Sequence, residues 1–463
     1  MIARLGPDSP AKLDAGQILD KLNGLEQVIS PEQIRQALQA SGLEGQRRCL
    51  LNHEVMLWLV LAMGLLTDLP IRQVFKHSRR SRKDEPSPGR SSLCEARQRL
   101  GVEPVRHLFA QVVRPLATPA TPGAFYRGFR LLGIDGTVLD VPDSDANATA
   151  FHRANGGRGE GAFPQVRKVS LVELGTHVEI ALALGGFQDS ESVLVEQLFD
   201  QVPKDALLLE DRGLFSYQAW KALRERDIQL LVRIKSHMVF QPLRDLPDGS
   251  FLAKIYPSDK ARRKDQDGIL VRIIEYTLDD PQRVGHQETH RLMTSLLDEA
   301  LDPAVTLILL YHERWEIELT FDEQKTHQDP QRAHKTANLR SETPEGVKQE
   351  VYALSIAHFV VRALMVEAAA PVGLDVDRLS FTNCLRILRN RLPECVNREP
   401  QTMAPWYETL LWEIRQEVIE PRRNRINPRV IKRKMSKWMK KRPEHRARPP
   451  LTKRFAETIV MLR

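Results

Sequence analysis

The sequence predicts an α/β protein with a helical N-terminal region, a strand-rich core and a helical, basic C-terminal region. Three observations lead to this prediction. Helix-forming segments fill about the first 115 residues, apolar and β-branched runs of strand length follow, and a long helical segment begins at Thr343. With 463 residues, the chain is long enough for two or three domains with substantial cores.

The N-terminal helices are predicted from capping residues and apolar runs. Ser30, Pro31 and Gln33 have the composition of a capping box at the start of a helix. The apolar run Val55–Leu66 is shorter than the roughly 20 residues that cross a bilayer, so it predicts a buried helix. The basic segment Lys76–Arg90 lies among these helices, an arrangement that suits DNA contact but equally suits any small helical bundle.

The core is predicted to begin after a proline-rich linker, with two hairpins followed by alternating helices and strands. The first hairpin would turn at Asp135-Gly136 and the second at Gly175-Thr176. The later predicted segments are Ser190–Phe199 (helix), Ala206–Leu209 (strand), Ser216–Arg226 (helix) and Ile228–Ile234 (strand). Three antiparallel strands followed by alternating helices and strands is the order of a ribonuclease-H-like core.

A β-rich insertion is predicted within the 107 positions that separate Asp211 from Glu318, because this interval exceeds what one helix and one strand require. Its strand-like runs are Phe251–Tyr256, Leu270–Leu278 and Arg291–Leu297. We therefore expect five parts: a helical DNA-binding domain (1–125), the first part of a catalytic core (126–235), the insertion (236–301), the second part of the core (302–395) and a basic C-terminal region (396–463).

Positive charge is concentrated at the C-terminal end of the chain. The whole chain carries 68 Lys and Arg against 60 Asp and Glu, and residues 421–463 alone carry 16 Lys and Arg against two Glu. Proteins that add a phosphate-binding arm to a nearly neutral body have this distribution. A solvated tail without a partner is the alternative that such charge blocks allow.

The cysteines and the N-terminus predict a cytoplasmic protein without a membrane partner. The segment MIARLGPDSP lacks the apolar core of a signal peptide. The cysteines lie far apart without a Cys-x-x-Cys pair, which favours a reducing compartment and argues against zinc and a disulfide framework. They are Cys49, Cys94, Cys384 and Cys395.

Two aspartates and one predicted helix carry the clearest chemical pattern. Asp135 and Asp211 each follow an apolar run, where we expect a strand to end and a turn to begin. On an α-helix, four further residues would fall within an arc of about 60°. They are Tyr311, Arg314, Glu318 and Lys325. A carboxylate between a cation and a phenol suits a divalent metal and a phosphate backbone.

Each of these residues also has an ordinary interpretation. Asp135-Gly136 is a common type of hairpin turn, and Asp211 stands in an equally ordinary turn. Glu318 could pair with Arg314 on an exposed helix face, which stabilises a helix by only a few tenths of a kcal/mol. Asp322 projects to nearly the same face, so geometry alone leaves it open as the third acid.

Taken together, the motifs resemble those of bacterial insertion-sequence transposases of the insertion sequence four family, which have an Asp-Asp-Glu triad. The helix motif of that family is Tyr, two residues, Arg, three residues, Glu, six residues and Lys, and the four helix residues match it without a departure. Asp135-Gly136-Thr137 and Asp211-Arg212-Gly213 match the two Asp motifs. The similarity extends from about residue 15 to residue 390.

The resemblance implies a cut-and-paste DNA transposase. Such an enzyme binds the terminal inverted repeats of its own element, cleaves the ends and joins them to target DNA as a synaptic homodimer on the nucleoid. Asp135, Asp211 and Glu318 would be the catalytic residues and would hold two Mg²⁺ ions, with Mn²⁺ as a substitute. The expected DNA contacts are Tyr311, Arg314, Lys325 and Arg212.

Two other classes of function stay open on the sequence alone. One is a metal-dependent endonuclease of the same fold without strand transfer, and the other is an inactive copy that binds element ends and represses. The glycine-dense segment Ala154–Phe163 lacks the Lys-Ser/Thr of a P-loop, so it is not a nucleotide site. We expect it to be a DNA-contacting loop that presents Arg153 and Arg158.

Two expectations concern the side chains around the helix motif. Trp315 could stack on a base, but a core-facing tryptophan is the safer prediction. Arg314 and Lys325 are expected to be exposed phosphate contacts, so replacing either by alanine should hardly change the melting temperature.

Overall fold

The computed structural model describes residues 28–43, 50–77, 87–156, 159–235, 238–281, 286–328, 339–392, 394, 400–420, 430–431, 439–440 and 453–462. The chain forms two compact units. The first contains Met1–Val202 and Trp315–Val418, and the second contains Pro203–Arg314 and Ile419–Arg463. The chain is of the mixed α/β class, because helices and strands occur in both units.

The first unit begins with a group of helices that pack around the helix His53–Leu65. The N-terminal helices are α1 (Pro31–Ala40), α2 (His53–Leu65), α3 (Ile71–His77), α4 (Arg90–Leu100) and α5 (Glu103–Val112). The predicted capping box is present at α1, where Ser30 N donates to Gln33 Oε1 at 2.8 Å and Gln33 N donates to Ser30 Oγ at 3.2 Å. Helix α2 is buried along almost its whole length, as its apolar run predicted.

The strands of the first unit form an antiparallel arrangement around one long strand. These strands are β1 (Phe125–Tyr126), β2 (Phe129–Asp140), β3 (Arg153–Gly156), β4 (Gly159–Glu173) and β5 (Val178–Gly186). Strand β4 pairs with β2, β3 and β5, and β1 pairs with β2. Short helices α6 (Asp145–Phe151) and α7 (Glu191–Glu196) and a 3₁₀ turn (Phe199–Gln201) complete this part.

Helix α12 (Pro344–Ala369) is the centre of the first unit's apolar core. It begins at the predicted cap, where Thr343 Oγ1 accepts from Gly346 N, and it packs with α2, α5, α13 (Phe381–Arg391) and α14 (Pro400–Gln416). Two 3₁₀ turns, Ala370–Val372 and Val376–Arg378, follow it. Among the described residues, Pro344–Val372 is the one segment whose length and hydropathy would allow it to cross a membrane, but 72% of its apolar window is buried. That burial is typical of a core helix.

The second unit contains a parallel strand pair extended by antiparallel strands. Its strands are β6 (Ala206–Glu210), β7 (Gln229–Arg233), β8 (Arg244–Asp245), β9 (Phe251–Ile255), β10 (Ile269–Leu278), β11 (His290–Thr294), β12 (Val430–Ile431), β13 (Met439–Lys440) and β14 (Ile459–Met461). The sheet order is β6-β7-β11-β10-β9-β8, with β6 parallel to β7 and β14 paired with β10. Its helices are α8 (Tyr217–Arg224), α9 (Asp259–Arg263), α10 (Ala304–His312) and a 3₁₀ turn (Phe455–Thr458). The strands predicted for the insertion are thus present as β9, β10 and β11.

Two predicted elements are wrong. Asp135-Gly136 does not turn a hairpin, because β2 continues through it and Asp135 pairs with Ser170 of β4. The segment Ala154–Phe163 is not a loop either, because β3 and the start of β4 pair within it. The ladder hydrogen bonds to β4 satisfy the backbone at both sites and outweigh the turn preference of glycine. The second predicted hairpin is confirmed as β4 and β5.

Candidate active site

Asp135 lies on the face of β2 that is covered by helix α11 (Trp315–Asp322). Side chains alternate along a strand, so Gly133, Asp135 and Thr137 share one face. A methyl group placed on Gly133 would lie 3.7 Å from Cβ of Ile317, which shows that this glycine faces α11. The Asp135 carboxylate accepts a hydrogen bond from the next amide, Gly136 N, at 2.8 Å, and this contact restrains its orientation.

The segment that follows Ile317 extends along the same face of β2. Ile317 packs on Val172, the register partner of Gly133, and the Lys325 ammonium donates to Thr137 Oγ1. Because Asp135 lies between Gly133 and Thr137, the segment Ile317–Lys325, which contains Glu318, follows the stretch of β2 that bears Asp135. Burial, together with neighbouring Lys168, lowers the pKa of Lys325 to about 8.

Asp211 and two residues of the helix motif belong to the second unit. Asp211 follows β6, as predicted, and its carbonyl accepts from Leu214 N in a turn. The Tyr311 hydroxyl donates to the carbonyl oxygen of Glu210 at 3.2 Å, so α10 holds the residue that precedes Asp211. Burial raises the pKa of Tyr311 above its usual range.

Glu210 is a buried carboxyl group that the sequence pattern did not single out. It is the last residue of an otherwise apolar strand, and it is only 3% exposed. Burial raises its pKa to about 7. A charged residue directly before Asp211, in a strand buried at every position, was the available sequence signal.

The prediction of one continuous helix for the motif is wrong. Helix α10 ends at His312, Glu313 and Arg314 form a turn, and α11 begins at Trp315. The segment Glu323–His327 is then a π-helical turn. A regular rotation of 100° per residue therefore does not connect the four motif residues, and the 60° arc does not exist in the structure.

The predicted exposures of Arg314 and Trp315 are also wrong. Arg314 is only 6% exposed, and its guanidinium carbon lies 5.9 Å from the centroid of the Tyr311 ring. Trp315 is 46% exposed and does not face the core. Asp322, the alternative third acid, is exposed, and its carboxylate lies 3.2 Å from His327 Nε2.

The arginines predicted as further DNA contacts have different surroundings. Arg212 is exposed in the turn after β6. Arg153 forms an ion pair with Asp143 and donates to the carbonyl of Ala162 at 2.6 Å. Arg158 lies outside the described residues.

A buried ionic cluster includes Glu316 of the helix that carries Glu318, and the sequence pattern did not predict it. Ligand atoms of His177, Glu316 and Asp377 lie within 4.8 Å of one another, a spacing that could hold a metal ion. Burial and Arg362 lower the pKa of His177, but Asp377 and Glu323 outweigh them and raise it to about 9. We interpret the cluster as an ion-pair network, because the raised pKa of His177 and the adjoining ion pair of Arg362 with Glu323 both supply positive charge to these carboxylates. Its members are far apart in sequence, so no local motif identifies them.

Carboxylate chemistry fits a hard divalent cation at the candidate site. Asp135, Asp211 and Glu318 are partly buried, and they offer oxygen donors of the kind that Mg²⁺ and Mn²⁺ prefer. Carboxylate ligands of this kind are typical of the metal-dependent enzymes that act on phosphodiesters.

Two family models match the chain and identify it within this class. The model described as Insertion element 4 transposase N-terminal matches residues 19–110, and the model described as Transposase DDE domain matches residues 127–360. The chain is 31% identical to the transposase InsG for insertion sequence element IS4 of Escherichia coli (strain K12) over 430 residues, which cover 90% of this chain and 93% of that relative. The chain therefore belongs to the insertion element 4 family of DDE transposases. It is a DNA transposase, and this family implies dependence on a divalent metal.

Two more distant similarities were also found. The chain is 26% identical to the putative transposase InsZ of Escherichia coli (strain K12) over 202 residues, which cover 43% of this chain and 66% of that relative. Among solved structures, the piggyBac transposase in a synaptic complex with hairpin DNA matches with a TM-score of 0.42 and 14% identity. The match covers 86% of this chain and 85% of that one.

Proposed function

We propose that this transposase moves its element by cut and paste. It binds the terminal inverted repeats of the element, cleaves both ends and joins them to target DNA at one metal-dependent site. The observation that supports this proposal lies in the first unit, where α11, the helix that contains Glu318, packs on β2, the strand that contains Asp135. The Asp-Asp-Glu motifs of the family provide the third acid, Asp211.

The three carboxylates would have distinct roles in this proposal. Asp135 would contribute to holding both of two Mg²⁺ ions, and Asp211 and Glu318 would each contribute to holding one, with Mn²⁺ as a substitute. When bound, the ions supply an activated water or DNA 3′-hydroxyl and stabilise the leaving oxygen. The bond from Gly136 N to the Asp135 carboxylate fixes one ligand in advance. Asp322 is less suited than Glu318 to be the third acid, because it is exposed and paired with His327.

Lys325 is the motif residue best placed to bind a DNA phosphate. Its ammonium has three donors, and the bond to Thr137 uses one of them. Exposed Arg212 and Trp315 can contact a phosphate and a base, respectively. Tyr311 and Arg314 are buried, so we propose that they reach the DNA end only at the edge of their side chains and mainly support Asp211.

The wider assignments follow from the family. We propose a ribonuclease-H-like catalytic core in two parts (126–235 and 302–395), interrupted by the β-rich insertion 236–301. It is preceded by a helical DNA-binding domain (1–125) and followed by the basic region 396–463. The order of β2, β4, β5, β6 and β7, three antiparallel strands and then a parallel pair, supports this core. The enzyme acts as a homodimer on DNA in the cytoplasm.

Single replacements of the three acids test this proposal. Asp135→Ala, Asp211→Ala and Glu318→Ala should each abolish cleavage of DNA that carries the element ends and leave binding of those ends largely intact. Gel shift and cleavage in Mg²⁺ separate the two properties. If one of these variants cuts at the wild-type rate, that residue is not a metal ligand. If Glu318→Ala cuts while Asp322→Ala does not, the third acid lies one helical turn further on. Cleavage without strand transfer by the wild type would favour an endonuclease.

A further inference from the structure

The helix that carries Glu318 ends in a π-helical turn, and this turn determines where Lys325 lies. Gln328 N donates to the carbonyl of Glu323 at 2.7 Å, five residues back in the chain. π-helical turns are rare, and they occur frequently at functional sites. The turn widens the helix and contains more residues than a regular α-helical turn. The rotation about the helix axis from Glu318 to Lys325 is therefore smaller than seven regular α-helical residues would give.

Glu323 fixes the start of the turn in the buried ionic cluster. Its carboxylate accepts from Arg362 Nε at 3.0 Å, and it lies 2.9 Å from His358 Nε2 and 3.3 Å from His177 Nδ1. Burial raises the pKa of Glu323, but Arg362 and His177 outweigh it and hold that pKa well below its usual range. Moving this carboxylate would separate a buried ion pair, which is strongly unfavourable.

Gln324 fixes the next residue through a second buried network. Its Oε1 accepts from Lys168 Nζ at 2.6 Å, and its Nε2 donates to Glu179 Oε2 at 3.1 Å. Lys168 Nζ and Glu179 Oε1 are themselves 2.6 Å apart, so the amide bridges an ion pair. Lys168 is the register partner of Thr137, so this network adjoins the acceptor of Lys325.

Gln328 fixes the end of the turn. Its carbonyl accepts from Thr67 Oγ1 at 2.9 Å and from Arg389 Nη2 at 2.7 Å, and its side-chain amide donates to the carbonyls of Gly64 and Leu354. The turn is therefore held at both ends by buried contacts to β4, β5 and three helices of the first unit. Lys325 lies between the held residues and points to Thr137.

We propose that Glu323 and Gln324 are positioning residues that act through Lys325. By holding the π-helical turn, they keep the Lys325 ammonium at Thr137, beside Asp135, where it binds a phosphate of the element end. This inference rests on the proposed role of Lys325 as a phosphate contact.

A double-mutant cycle between Gln324 and Lys325 tests the inference. The variants are Gln324→Met, which keeps the side-chain volume but removes both amide contacts, Lys325→Ala, and the two combined. The measurement is the rate of end cleavage as a function of DNA concentration. We expect each single variant to raise the half-saturating DNA concentration about tenfold. The double variant should raise it no further, because Gln324 acts only through Lys325.

Two further variants separate positioning from general destabilisation. Ser355→Ala removes another contact of Lys168, at 3.3 Å, but does not touch the turn. It should change the melting temperature without changing the dependence on DNA concentration. Gln324→Asn keeps an amide that is too short to bridge Lys168 and Glu179, and it provides the same test should Gln324→Met fold poorly.

The outcomes distinguish this inference from the proposed function. The positioning role would be overturned if the two single-variant increases in half-saturating DNA concentration multiply in the double variant. It would also be overturned if Gln324→Met, like Ser355→Ala, changes the melting temperature but not the dependence on DNA concentration. An unchanged half-saturating concentration for Lys325→Ala would also overturn it, because Lys325 would then not hold the DNA. In either case, loss of cleavage by Asp135→Ala would leave the assignment of the metal site intact.

Discussion

Arg314 and Trp315 are neighbours in sequence with opposite surroundings. Arg314 is 6% exposed and lies against the Tyr311 ring, whereas Trp315 is 46% exposed. A charged residue that is buried in this way contributes packing as well as charge. The large apolar ring at position 315, by contrast, is partly in contact with water, at the start of the helix that carries Glu318.

Replacing each of these residues by alanine should therefore give opposite results. Arg314→Ala should destabilise the second unit by roughly 1–3 kcal/mol, because it removes a buried side chain with its contacts. Trp315→Ala should change stability by less than about 0.5 kcal/mol, as surface replacements usually do, but it should weaken the processing of element ends. Thermal unfolding and cleavage assays on both variants check this. A stable Arg314→Ala enzyme with weak DNA binding would instead show that Arg314 acts as a phosphate contact.

Helices and strands show which parts of the fold local sequence could predict. Helix α12 was predicted because its cap and apolar pattern lie within the helix itself. The continuity of β2 was not, because pairing with β4 overrides the turn preference of Asp135-Gly136. The π-helical turn was also missed, because its partners Arg362 and Lys168 are 39 and 156 residues away from Glu323 and Gln324, respectively.

The candidate acids and Lys325 were proposed from local motifs. Residue types and spacing led to them through a family pattern, and their roles stay predictions. The burial of Tyr311 and Arg314 depends on how α10 packs in the second unit, and no spacing within the motif encodes that. The cluster around His177 joins a hairpin turn to two helices and a 3₁₀ turn, so it too depends on tertiary structure.

The contact between α2 and α12 provides a test of helix packing. A methyl group on Gly64 would lie 2.2 Å from the carbonyl oxygen of Ala353, which is backbone and cannot rotate away. Gly64→Ala should therefore cost roughly 3 kcal/mol of stability. Gly89→Ala is the control, since its methyl group would have no neighbour closer than 3.8 Å. Equal melting temperatures for the two variants would show that α2 can shift along α12.

The end of the chain combines a basic segment with a structural strand. Strand β14 pairs with β10, and the Phe455 ring stacks on His312 with centroids 4.3 Å apart. Removing everything after Glu420 would therefore take a strand from the second unit as well as 16 basic residues. Charge replacement within the chain is the cleaner way to test DNA binding by this region.

Replacing Lys432, Arg433 and Lys434 with glutamine should weaken binding to element ends and to random DNA alike. Each lost phosphate contact should reduce the slope of log affinity against log salt by about 0.9, because fewer counterions are released. Binding measured across a range of salt concentrations checks this expectation. If the variant no longer distinguishes element ends from random DNA, but its affinity for random DNA is unchanged, these residues recognise the base sequence instead.

The order of the units along the chain has a consequence for synthesis on the ribosome. The N-terminal helices pack around α12, but the ribosome makes the whole stretch Pro203–Arg314 of the second unit before it reaches that helix. The apolar surface of α2 that packs against α12 therefore stays exposed until α12 has been synthesised. A gene copy with a stop codon before residue 344 would encode a protein that lacks this partner altogether. Such a shortened copy should be degraded or aggregate, so we do not expect it to persist as a competitor for the element ends.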